Sequence, residues 1–216
     1  MKVLIACEES QTVCKAFRKL GHEAYSCDTL DCSGGKLQWH IKDDVLKHLN
    51  KDWDLMIAHP PCTYLSYAGI RHWNNIGRKE LREKAMAFFL TLWNAPIKRI
   101  CVENPVGYPN TVFRKPDQII HPYYFGEPFQ KRTCLWLKEL PKLDYEKTII
   151  QKPEPLYICK GKKCYGKKIH FTEGIKGLNH KERSRIRSKT FEGIAKAMAK
   201  QWGKLNEVKC RHSSHE

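Results

Sequence analysis

Cys62 and Glu103 are the residues whose types and settings could do covalent chemistry. Cys62 stands in the stretch 54–66, DLMIAHPPCTYLS, just past an apolar run and two consecutive prolines. The run Leu55, Met56, Ile57, Ala58 has the character of a buried strand. Pro60 and Pro61 each fix φ and lack a backbone donor, so strand pairing must stop there. The thiol therefore falls at a strand exit, and open α/β sheets bind ligands outside the carboxyl ends of their strands, where a nucleophile is of use. A buried structural role is the ordinary one for any of the ten cysteines. A second signal sets Cys62 apart from the other nine. In 99–107, RICVENPVG, another short apolar strand (Ile100, Cys101, Val102) ends in Glu103, Asn104 and Pro105. With the two strands parallel and adjacent, a thiol and an acid able to protonate or hydrogen-bond a ring nitrogen would face one pocket.

The elements that must position these groups begin at the amino end. Residues 2–6 read as a strand, 11–20 as a helix, and 23–27 as a second strand closed by Asp28, which is a βαβ start. An acidic residue about twenty positions beyond the first turn is where nucleotide-binding α/β folds hold ribose hydroxyls, so Asp28 is the candidate ribose ligand. The glycine-rich loop expected after the first strand is absent, and Cys7, Glu8, Glu9 and Ser10 stand there instead. After Cys62 come Tyr64, Tyr67, His72 and Trp73, which either act on a ligand or anchor a surface loop to the core.

The Pro-Pro-Cys strand exit followed by Glu-Asn at the next one resembles the DNA (cytosine-5) methyltransferases, here a small member of the phage type. The resemblance implies an α/β fold, a class I S-adenosylmethionine-dependent methyltransferase sheet of Rossmann-like kind with a small basic insertion. It implies S-adenosylmethionine as cofactor and DNA, a duplex with a flipped cytosine, as partner. In that family the cysteine adds to C6 of cytosine and the glutamate binds N3, which makes C5 nucleophilic. On this likeness Cys62, Glu103 and Arg132 are the catalytic residues, and Cys7, Glu8, Asp28, Asp44 and Pro60 line the cofactor site. Asp44 resembles the family's acidic residue near the adenine amine, with Asp43 an equal alternative. The loop without glycines is compatible with this cofactor, which carries no pyrophosphate. The stretch 129–137, FQKRTCLWL, resembles the family's Gln-x-Arg-x-Arg strand: Gln130 and Arg132 match, while Cys134 stands in the second arginine position. Gln130 is thereby a candidate contact to the target base, and Ser66 and Arg71, on the segment after Cys62, are candidate phosphate contacts. In 190–202, Phe191, Ile194, Ala195, Met198 and Trp202 recur at helical spacing, an apolar face that resembles the family's last helix and reads equally well as an ordinary core helix.

Charge points to the class of partner. The 216 residues carry 39 Lys plus Arg against 23 Asp plus Glu, a formal net charge of +16. Such an excess favours a polyanion, most simply nucleic acid. The charge gathers late, in 160–168 (KGKKCYGKK) and 181–189 (KERSRIRSK), so Lys160, Lys162, Lys163, Lys167 and Lys168 are candidate phosphate contacts. The length suits one substantial core with a small appendage. The Pro-containing stretch 151–155 marks the boundary: 1–151 a catalytic domain, 152–188 a basic recognition insertion, 189–206 a returning helix and 207–216 a frayed tail. Met1 is followed by one lysine and a core strand rather than a signal peptide, and no apolar run approaches 18 residues, so a cytoplasmic protein is expected. Cys159 and Cys164 with a nearby histidine could bind zinc, but a four-residue gap with no second close pair favours no metal. Three rivals stay open: a modifier of RNA or nucleotide pyrimidines, a DNA-binding module that has lost catalysis, and a zinc-ribbon scaffold.

Overall fold

A computed structural model of the chain describes residues 1–145, 151–155, 157–158, 160, 166, 168–169 and 179–205. The strands β1 (Lys2–Ala6), β2 (Glu23–Asp28), β3 (His40–Lys42), β4 (Leu55–Ala58), β5 (Arg99–Pro105), β6 (Gln118–Ile120) and β7 (Thr133–Lys138) form one sheet in the order β3-β2-β1-β4-β5-β7-β6. The first five run parallel, and β7 is antiparallel to both β5 and β6. This is a doubly wound order with one antiparallel strand inserted before the last. The order reverses between β1 and β4, and the carboxyl ends flanking such a reversal form the ligand crevice of open α/β sheets.

β1 and β4 are continuous apolar runs because helices cover both faces of the sheet. On one face, α1 (Thr12–Lys19) contributes Val13, Cys14 and Phe17, and α5 (Glu192–Trp202) contributes Ile194, Ala195, Met198, Ala199 and Trp202, all packed on Val3, Ile5, Leu55, Ile57 and Leu135. The Trp202 indole donates to Pro141 O at 3.0 Å, so its one polar atom is satisfied in the core. On the other face α2 (Arg78–Trp93) lays Met86, Phe89 and Leu92 over Leu4, Met56, Ile100 and Trp136, with Phe89 edge-on to Trp136.

Two elements depart from the sequence expectation. β5 does not end before Glu103. Its parallel partner stops at Ala58↔Val102, but β7 continues the ladder through Glu103↔Leu135, Asn104↔Cys134 and Pro105↔Thr133. Proline is tolerated as the last residue, where no further ladder bond is required of it. β7 in turn begins at Thr133, so Gln130 and Arg132 precede the strand rather than lie in it. A four-residue helix, α3 (Pro109–Val112), follows β5.

The insertion contains a two-stranded antiparallel hairpin, β8 (Tyr157–Ile158) and β9 (Lys168–Ile169), and the helix α4 (His180–Ser188). α4 starts in a capping box: Asn179 Oδ1 accepts from Glu182 N and Glu182 Oε2 accepts from Asn179 N, both at 2.9 Å. The basic run 181–189 is therefore mostly helix, and it docks on the sheet's carboxyl end through Arg185 to Glu9 (3.5 Å) and Lys131 Nζ to Arg187 O (2.8 Å). Among the described residues, no helix is long and apolar enough to cross a membrane.

Candidate functional site

The proline pair ends β4 as its chemistry requires, and the backbone beyond it is stitched to the exit of β5. His59 N still donates to Ala6 O at 2.9 Å, one residue past β4. Pro60 O then accepts from the buried Asn104 side chain at 2.8 Å. Cys62 O receives both Leu65 N (3.1 Å) and Ser66 N (2.9 Å), closing a tight turn whose anchor, Leu65, is fully buried. Leu65 O accepts from Tyr108 N at 2.7 Å. That approach demands glycine at 107, since a Cβ there would stand 2.0 Å from Leu65 O. The result is a half-buried Cys62 held beside β5 by contacts some forty residues away in sequence.

Electrostatics tie Cys62 to Glu103. The Glu103 carboxyl is 13 % exposed, and its Oε2 lies 3.0 Å from His59 Nδ1. Burial pushes its proton affinity up, but the His59 bond and field, with help from Lys131, outweigh burial and leave it below the usual glutamate value. Burial raises the Cys62 thiol, the Glu103 charge raises it further, and Lys131 and Arg187 oppose; the net direction is up. Arg132, named as catalytic on the family likeness, is not among the groups whose charge acts on Cys62 or Glu103. Arg132 is exposed, and its charge acts on His121 and Cys134. The turn after Cys62 leads into a 3₁₀ segment, Tyr67–His72, not an α-helix. The neighbour of Arg132, Lys131, is the residue whose charge reaches both Cys62 and Glu103.

Of the described cysteines, all free thiols, Cys14, Cys27, Cys101 and Cys134 are buried, and burial pushes Cys14 and Cys27 up to about 12. Cys7, Cys32 and Cys62 are partly exposed; Lys131 and Arg187 draw the Cys62 thiol toward ionisation, whereas burial and the Asp28 and Asp44 charges hold the Cys7 thiol up. Cys134, in the second arginine position, is buried and accepts from Asn110 Nδ2 at 3.7 Å.

The residues named for the cofactor divide. Cys7, at φ 60°, is gripped by Cys27 O and lies within the fields of Asp28 and Asp44, which with burial raise its thiol. These three surround the carboxyl ends of β1 to β3. Asp44 caps the turn Val45–His48 through Leu46 N, whereas Asp43 is taken by Lys47, His48 and the Asp44 backbone and is held well below the carboxylate range by them. Asp44 is thus the freer of the pair. Glu8 faces inward: its two oxygens accept from Val13 N (2.7 Å) and Cys14 N (3.2 Å), so it holds the start of α1. Pro60 is buried at the crevice floor.

Ser66 starts the 3₁₀ segment by accepting from Ala68 N, and Arg71 is exposed beside His72. Gln130 donates to Pro153 O at 2.9 Å and so binds the insertion rather than open solvent. Trp73 packs on Tyr67 and Tyr108 with Arg82 over its ring, so the aromatics of this loop anchor it. Lys160 is exposed and Lys168 lies in β9; Lys162, Lys163, Lys167, Cys159 and Cys164 fall outside the described residues. An open groove of about 550 Å³ between Leu49, Leu90 and Ala95 borders the amino ends of β4 and β5 and brings none of these groups together. His59 and Lys131 do not stand out in the sequence. A histidine wedged between a strand and two prolines is the available signal for the first, and strand alternation hides the second.

Fold and site together define a doubly wound α/β protein with a thiol, a carboxylate and an imidazole gathered at the carboxyl edge of its sheet. No protein-family model matches the chain, and no curated protein matches it either.

Proposed function

We propose that the protein transfers a methyl group from S-adenosylmethionine to C5 of cytosine in DNA through a covalent Cys62 adduct, as a class I methyltransferase. The observation that carries this reading is the placement of Cys62 in the turn beyond the β4 exit and of Glu103 near the end of β5, its parallel neighbour, close enough for the Glu103 charge to act on the Cys62 thiol. The cofactor's groups suit the crevice beside them: Asp28 and Asp44 are acceptors for ribose hydroxyls and an adenine amine. When bound, S-adenosylmethionine supplies an electrophilic methyl on a sulfonium.

The chain's own residues do the rest. The Cys62 thiol proton passes to the ionised Glu103 carboxylate and the sulfur bonds to C6, while the C5–C6 electron pair moves to C5 and Glu103 hands that proton on to the ring nitrogen N3. As N3 and Glu103 come to share a proton, the charge that opposes the thiolate fades, so base docking and nucleophile activation reinforce each other. After C5 takes the methyl, loss of the C5 proton to water expels Cys62 and restores the double bond, and the N3 proton returns through Glu103 to the departing sulfur. Arg185, Arg187 and Lys131 set positive charge along the same edge, which suits a phosphodiester strand. A cytosine must leave its stack to reach this edge, at a cost of a few kcal/mol.

The deciding experiment sequences DNA from cells expressing the protein by a chemistry that reports 5-methylcytosine, with Cys62→Ser as control. Modified cytosines that vanish in the control support the reading. Methyl incorporation into RNA or dCMP in place of DNA would move the substrate class, and incorporation into none of the three would refute it.

A further inference from the structure

His59 occupies the last position before the proline pair. Its backbone bond to Ala6 carries the β1 ladder one residue beyond β4 and holds the imidazole inside, 8 % exposed, against Glu103. Nδ1 lies 3.0 Å from Glu103 Oε2, while Nε2 is buried with no hydrogen-bond partner among the described residues. A buried imidazole with an acceptor at one nitrogen and none at the other keeps its proton on the partnered nitrogen, since a bare Nε2 costs less than an unsatisfied N–H. We infer that His59 is the positioning residue of the site: its Nδ1–H clamps Oε2, fixes the Glu103 rotamer, and leaves Oε1 as the oxygen that meets a ring nitrogen.

The surroundings are consistent with a clamp of this kind. Among the described residues, the titratable and charged groups around the pair are Glu8 from the β1 exit, Cys62 from the β4 exit, Cys101 on β5, Cys134 on β7, Lys131 before β7, and Arg187 of α4, whose charge reaches Cys62. Of these only Lys131 acts with His59 in drawing the proton off Glu103, and burial opposes both. Removing the imidazole therefore leaves burial in command, and Glu103 takes up its proton at higher pH. An asparagine at 59 offers an amide N–H close to the position of Nδ1 and retains the clamp. A leucine keeps the bulk and loses the donor.

The inference rests on Glu103 as the acid that meets the base, so the test is read first without turnover. In protein labelled with ¹³C-glutamate, the Glu103 carboxyl resonance is assigned by its loss in Glu103→Gln and followed against pH. Wild type should titrate below the ordinary glutamate range and His59→Leu highest, with His59→Asn, which keeps the donor and loses the imidazole's charge, between them; equal midpoints in wild type and His59→Leu would overturn the inference. Should His59→Leu not fold, the ring ¹⁵N shifts of wild-type His59 decide instead: an Nδ1–H tautomer supports the clamp and an Nε2–H tautomer refutes it. In a methylating protein, His59→Leu also moves the Glu103 limb of the pH–rate profile upward, and His59→Asn moves it less. Absence of methyl transfer from wild type, with the carboxyl shift present, would sink the cytosine reading and leave the clamp standing.

Discussion

At the scale of single residues, the site is a balance among burial, one carboxylate and two cations. Cys62→Ser should abolish methyl transfer with little change in fold, since serine is nearly isosteric but a far weaker nucleophile at neutral pH. Full activity in that variant would remove Cys62 from the mechanism. Glu103→Gln removes the charge that raises the thiol, so it should lower the pH at which Cys62 is alkylated by iodoacetamide while still crippling methyl transfer. An unshifted alkylation profile would show that Glu103 does not govern Cys62. The stability sign follows from the same pair. The folded-state affinity of Glu103 for its proton is depressed, so its contribution is complete above the unfolded glutamate value of about 4.3 and is lost as pH falls through the lower folded value. The acid decline of the wild-type melting temperature should accordingly be shallower in Glu103→Gln. Cys62 is legible in the sequence because proline stops a strand by covalent chemistry alone. His59 and Lys131 are not, because their roles lie in tertiary neighbours that sequence spacing does not encode.

At the scale of elements, α4 changes the account of the basic insertion. In sequence the run 181–189 is a spread of charge, but its Asn179–Glu182 capping box starts a helix, and the Glu9 and Lys131 contacts bring Arg185 and Arg187 to the mouth of the site. If that helix grips phosphates, Arg185→Gln with Arg187→Gln should reduce the slope of log affinity against log salt on duplex DNA by about 0.9 for each phosphate no longer neutralised. Replacing Lys160, Lys162, Lys163, Lys167 and Lys168 by glutamine tests the other basic stretch in the same titration. The variant that leaves the slope unchanged lies off the DNA surface. The β4 and β5 exits supply a second element-level test. Gly107→Ala forces a Cβ into Leu65 O, so it should cost activity by displacing the Cys62 turn, and a Gly107→Ala enzyme of full activity would show that the turn does not position the thiol.

At the scale of the whole molecule, the crossing order of the sheet sets the crevice at β1 and β4, and the ligand proposed for it should stabilise the native state by mass action. S-adenosylmethionine or its demethylated product should raise the melting temperature, by an amount that grows with ligand concentration; silence in both melting and calorimetry would empty the crevice of that ligand. Trp202→Ala, which hollows the layer beneath α1 and α5, should destabilise by about 3–5 kcal/mol, readable in chemical denaturation. Local patterns are enough to delimit β1 and β4 to the residue, to place α1, β2 and the apolar face of α5, and to mark Cys62 as a strand-exit thiol, because apolar runs, helical spacing and proline act over a few neighbouring residues. The rest is decided by packing between distant segments. The antiparallel β7 extends β5 through Glu103 and sinks Cys134 where an arginine was sought, and ahead of it the Lys131 charge, not that of Arg132, reaches the thiol. Glu8 is drawn inward to the start of α1, and His59 meets Glu103 across forty-four positions. Hydrogen-bond partners and the burial that gives them weight exist only once the sheet has assembled, so no local pattern in the chain could have announced them.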